Sequence, residues 1–168
     1  MRDIIRLIDR LADATGALIT PLALVMMLLT CIVVVTRYVF HAETTPLHET
    51  VIYLHGLVFM LGISYALKVQ GHVRVDIFYH NFSARRRALV DLFGTLFFLL
   101  PVAGFIFWSS LDYVHLAWQM KESSAAPDGL PGIYLFKTLI PIMAALLAIQ
   151  GLGEALKSIA VLLDPTEQ

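Results

Sequence analysis

Four apolar stretches, at about residues 16–39, 47–67, 88–117 and 133–154, leave this chain few ways to fold in water. As helix, at 1.5 Å per residue, each is long enough to cross a hydrocarbon core of ~30 Å. Lipid offers no partner to a backbone N–H or C=O, so stretches of this length and polarity are read as helices. Composition agrees, with 58% hydrophobic and 15% charged residues where a soluble domain has roughly 45–50% and about 25%. The expected fold class is an all-α integral membrane protein, one domain over residues 1–168 with four transmembrane helices.

Residues 1–13 read as a further, interfacial helix. Ile4, Ile5, Ile8 and Leu11 recur at helical spacing, with Arg2, Asp3, Arg6, Asp9 and Arg10 on the other side, which suits a helix lying on the membrane surface. A cleaved signal peptide fits less well, because three aspartates precede an apolar run longer than the 7–15 residues of that element. The third stretch is thirty residues long, about 45 Å as helix, and is expected to tilt, kink at Pro101 or project beyond the bilayer. In the fourth, Glu154 and Lys157 are three apart and can pair.

The segment 68–87 sets the orientation. It holds Lys68, Arg74, Arg85, Arg86 and Arg87; with Arg2, Arg6, Arg10 and Lys157 this places nine of the twelve bases on one side, against Arg37, Lys121 and Lys137. Basic loops stay in the cytoplasm, so both termini and this loop are expected there. The net charge of −1 gives no indication of nucleic-acid binding.

Candidate chemistry is sparse. Six histidines raise the possibility of a haem-binding membrane anchor, but His41, His72 and His80 fall in loops. His55 lies about 10 Å deeper along its helix than His48, with no histidine on another helix at its level. Glu49 opens the second span as a single carboxylate, a poor cation site by itself and a better partner for an ion pair or interhelical hydrogen bond. His48, His55 and Gly62 share a face at seven-residue spacing, and Gly62 with Ala66 permits close helix approach. Cys31, without a partner, reads as a packing residue, and Lys137 as a cation whose stem lies in the bilayer and whose head reaches water. Nucleophile–base pairs and phosphate-cradling loops are not evident, so the reading is not an enzyme. A small self-assembling transporter or channel is a further alternative, although the broken helices in matching positions that mark coupled transport sites are not seen.

Several strings are distinctive together: Arg37-Tyr38-Val39-Phe40 after the first span, Glu49 opening the second, Gly71-His72-Val73-Arg74-Val75-Asp76, then Glu122-Ser123, Gly129-Leu130-Pro131 and Lys137. They resemble the DctQ-like small permease subunit of tripartite ATP-independent periplasmic (TRAP) transporters. Where many relatives have a tryptophan before an acidic pair, this chain has Pro46-Leu47-His48-Glu49; the remaining pattern is more similar to the branch labelled for mannitol/chloroaromatic compounds or 2-oxo acids. The resemblance implies a four-helix scaffold subunit in the inner membrane, bound to a large ion-coupled permease that works with a periplasmic solute-binding protein. It implies no cofactor in this chain, with Na⁺ held by the large subunit. The expected partner interface is Glu49, His55 and Gly62 on the second span, with Arg74 and Asp76 at the cytoplasmic edge and Lys137 at the other.

Overall fold

The computed structural model describes residues 2–42, 45–71 and 82–163. Helix α1 runs from Arg2–Tyr38, α2 from Thr45–Lys68, and α3 from Ala84–Gly94. A π-helical turn at Thr95–Leu99 joins α3 to α4, Leu100–Met120. The short α5, Ile133–Lys137, leads into α6, Leu139–Leu163. Among the described residues, four helical stretches are long and apolar enough to cross a membrane.

Residues 2–13, the described part of the expected interfacial helix, are not a separate element. Glycine and proline are missing between Asp13 and Gly16 apart from Gly16 itself, and the helix passes through this position and Pro21 for 37 residues, about 55 Å. Gly16 has a packing reason to be there: a Cβ on it would lie 2.6 Å from the ring of Tyr65 on α2. Its missing side chain lets the two helices meet closely.

The third span is also continuous, 37 residues from Ala84 to Met120. Pro101 has no N–H for the carbonyl four residues back, and its ring would clash there. The chain adapts just before it, where the Leu100 N–H reaches five residues back to the Thr95 carbonyl. Pro141 frees the Lys137 carbonyl in the same way, and the helix breaks at Thr138 between α5 and α6.

Helix α6 is the centre of the molecule, packed against α1, α2, α3 and α4. Its buried residues are mostly small: Ala144, Gly151, Gly153, Ala155 and Ser158. Gly151 sits under Leu99 and Gly153 under Ile8, so α6 carries a neighbour on more than one side. The third span packs chiefly on α6 through Ala88, Thr95, Ala103, Ser110, Val114 and Ala117. Its other sides expose Phe97, Phe98, Phe105 and Trp108, as expected of surface that meets lipid. Cys31, read from sequence as a packing residue, is exposed on α1; the rest of the chain leaves that side of the helix uncovered.

Candidate functional site

Polar side chains gather at the two ends of the helices. At the loop end, α4 stops in a left-handed residue, Lys121, at φ 46°. The Glu122 N–H returns to the Ala117 carbonyl at 3.0 Å and the Lys121 N–H to Trp118 at 3.3 Å, which satisfies carbonyls a helix end would otherwise leave open. Ser124 and Leu130 then pair across the loop through a backbone bond of 3.3 Å. Glu49, near the start of α2, fastens this loop: its carboxylate accepts from the Ser124 hydroxyl and, at 2.6 Å, from the Leu130 N–H. Lys137 donates to Glu122 at 2.6 Å and lies 4.1 Å from the centre of the Tyr113 ring. The Trp118 indole N–H donates to Thr138 at 2.9 Å. Carboxylates on α2 and in the loop thus tie together parts of the chain that sequence keeps far apart.

At the end where the chain starts, a charged cluster crosses three helices. Lys157 on α6 donates to Asp9 of α1 at 2.8 Å and to Glu154 at 2.9 Å. The Gln150 amide donates to the same two carboxylates at 3.3 and 3.0 Å, from a side chain that is 1% exposed. Lys68, at the end of α2, pairs with Asp13 and donates to the Asp9 carbonyl at 3.2 Å. One side of the cluster opens on a cavity of about 460 Å³, also lined by Arg87 and Asp91.

The residues expected at a partner interface fare differently. Glu49 and Lys137 are engaged within the chain, and a Cβ on Gly62 would lie 2.9 Å from Ile19 of α1, so that glycine serves helix packing at home. His55 is exposed. Arg74 and Asp76 lie outside the described residues, as do His72 and His80. His115 is next to Gln119 at 2.8 Å on its own helix. Among the described residues, no group of three or more His, Cys, Asp or Glu side chains is placed to hold a metal ion.

The sequence reading found the Glu154–Lys157 pair and missed Asp9, Gln150 and Lys68. Gln150, Glu154 and Lys157 at i, i+4 and i+7 are one polar stripe on an apolar helix, which was the available signal. Nothing local pairs that stripe with Asp9, 141 residues from Gln150.

The sequence matches the family described as "Tripartite ATP-independent periplasmic transporters, DctQ component" over residues 26–161. The chain belongs to this family. It is therefore a multi-pass membrane protein and the small permease component of a TRAP transporter, and its family is one of transporter components, not of enzymes. Searches of the curated proteins and of the solved structures found no match. The match starts within α1 and ends within α6, so the matched region includes most of the central helix and both polar clusters except Asp9 and Asp13.

The Glu49 clamp gives a direct expectation. Glu49→Ala removes the acceptor of Ser124 and Leu130, so amide hydrogen exchange across residues 123–131 should quicken by roughly ten-fold. Unchanged exchange there would mean that other contacts hold the loop.

Proposed function

We propose that this TRAP component is a fixed membrane scaffold. It holds a large permease subunit that carries the Na⁺ and substrate sites, in a system fed by a periplasmic solute-binding protein and moving organic acids or related solutes. The observation that carries this reading is how the ionisable groups are used. Glu49, Glu122, Lys137, Asp9, Glu154 and Lys157 each bond to another part of the same chain. Groups spent on joining helices and a loop are not open ligands for a travelling ion, which needs several oxygens around it. Two long continuous helices laid on a small-residue central helix supply what a static frame needs: length and close packing.

In this reading the chain has no cofactor of its own. The nine-to-three division of bases supports an orientation in the bacterial inner membrane with both termini and segment 68–87 on the cytoplasmic side. The loop of residues 121–132 then faces the periplasm, where Glu49 keeps it in one shape.

Co-expression with a large TRAP permease subunit from the same genome, followed by affinity purification of this chain in nanodiscs, tests the reading. One-to-one recovery of the large subunit is the expected result. Recovery of this chain alone, or only as an assembly with itself, would overturn it.

A further inference from the structure

Given the scaffold reading, on which this inference rests, we propose that the large permease seats a transmembrane helix on the side of α2 formed by His48, Ile52, His55 and Phe59. The four residues follow at i, i+4, i+7 and i+11 and so share one side of the helix. All are exposed, Ile52 at 47% and Phe59 at 67%. They extend over eleven residues, about 17 Å, which is the footprint of one crossing helix.

His55 decides against lipid as the occupant. It lies ten residues from the start of α2, about 15 Å along a ~30 Å core and so near mid-depth. A neutral imidazole keeps one N–H and one lone pair to satisfy, and acyl chains satisfy neither. Its described neighbour is the Phe59 ring, with centroids 6.3 Å apart, and no hydrogen bond to His55 is present among the described residues. The exposed side of the third span differs here: Phe97, Phe98 and Phe105 carry no polar group, and lipid covers them with nothing left unmet.

A second copy of this chain fits poorly. Two-fold symmetry about the membrane normal would set each residue against its own copy at the same depth. Ile52 would meet Ile52 and Phe59 would meet Phe59, propping the helices apart on both sides of His55. A different helix avoids this with small residues opposite Ile52 and Phe59 and a hydrogen-bonding side chain opposite His55. That is the chemistry expected of the partner: an apolar helix with one polar group at mid-depth.

The test uses the complex of this chain with its large permease in native membranes. A photoreactive phenylalanine analogue is placed singly at Ile52, Phe59, Phe97 and Phe105. Cross-links to the large subunit from positions 52 and 59, and not from 97 and 105, are the expected result. Cross-links from 52 and 59 to a second copy or to lipid, in a complex that still co-purifies, would overturn the inference and leave the scaffold reading intact. Failure of the unsubstituted chains to co-purify would overturn both. Should the analogue at 52 and 59 disturb assembly, His55 gives the second measurement. His55→Leu should lower recovery of the large subunit about five-fold or more, and His55→Asn, which keeps a donor and an acceptor, should restore most of it. Equal recovery for both variants and the unsubstituted chain would contradict the proposal.

Discussion

Lys157→Ala is expected to destabilise the chain more than any other removal of a single charge. The substitution leaves Asp9 and Glu154, both hydrogen-bonded to Lys157 and to Gln150, with the Gln150 amide and with Lys68, at the Asp9 carbonyl, as the remaining cation beside them. Removing one member of a fully buried pair costs about 3–5 kcal/mol, because the charges left behind are uncompensated. Lys157 retains 32% side-chain exposure and faces an open cavity, so solvent screening reduces this to about 2–4 kcal/mol. Thermal unfolding in detergent should show a midpoint lower by roughly 5–15 °C. Asp9→Asn added to Lys157→Ala should recover part of the loss, since it removes one stranded carboxylate; fully additive effects would show that the two residues do not act as a pair.

This cluster also shows what the sequence does and does not make legible. The four spans were readable because hydrophobicity over about twenty residues is a local property, and the membrane imposes helix on it. Glu154 and Lys157 were readable as a pair because helical geometry alone brings positions three apart together. Which helix lies in the middle was not readable. Gly62 and Ala66 looked like a close-approach pair pointing to a partner, yet Gly62 receives Ile19, and Gly151 and Gly153 of α6 receive Leu99 and Ile8 in the same way. Small residues announce that some helix comes near, without saying which one.

The polar residues of α2 show the same limit. Periodicity grouped His48, His55 and Gly62 on one side of α2; the two histidines are exposed, whereas Gly62 packs on Ile19 of α1. Glu49 was read as a candidate for the same interface, or for an ion pair or interhelical hydrogen bond; the structure gives it to Ser124 and Leu130, residues of a loop joining other helices. A carboxylate in a membrane span calls for a partner, and composition does not say whether that partner is in the same chain. The boundary between interfacial and spanning helix at residues 13–16 was misplaced because a change from amphipathic to apolar pattern need not coincide with a break in backbone hydrogen bonding. At Pro101 the sequence offered a kink, tilt or projection, and a π-helical turn keeps α3 and α4 in one continuous helix.

The second large effect concerns transport itself and bears on the central claim, that this TRAP component is required as a frame and not as a carrier of substrate or ion. The large permease is reconstituted into liposomes with and without this chain, and uptake driven by a Na⁺ gradient is followed with the solute-binding protein outside. Without the chain, uptake should fall to the level of empty liposomes. With the chain carrying Glu49→Gln, in complexes that remain assembled, the half-saturating concentrations of Na⁺ and substrate should stay within about two-fold of the unsubstituted complex, because uniform affinity with altered rate marks a residue outside the binding site. Full-rate uptake by the large subunit alone, or a shift of half-saturation beyond about ten-fold for Glu49→Gln, would contradict the scaffold account.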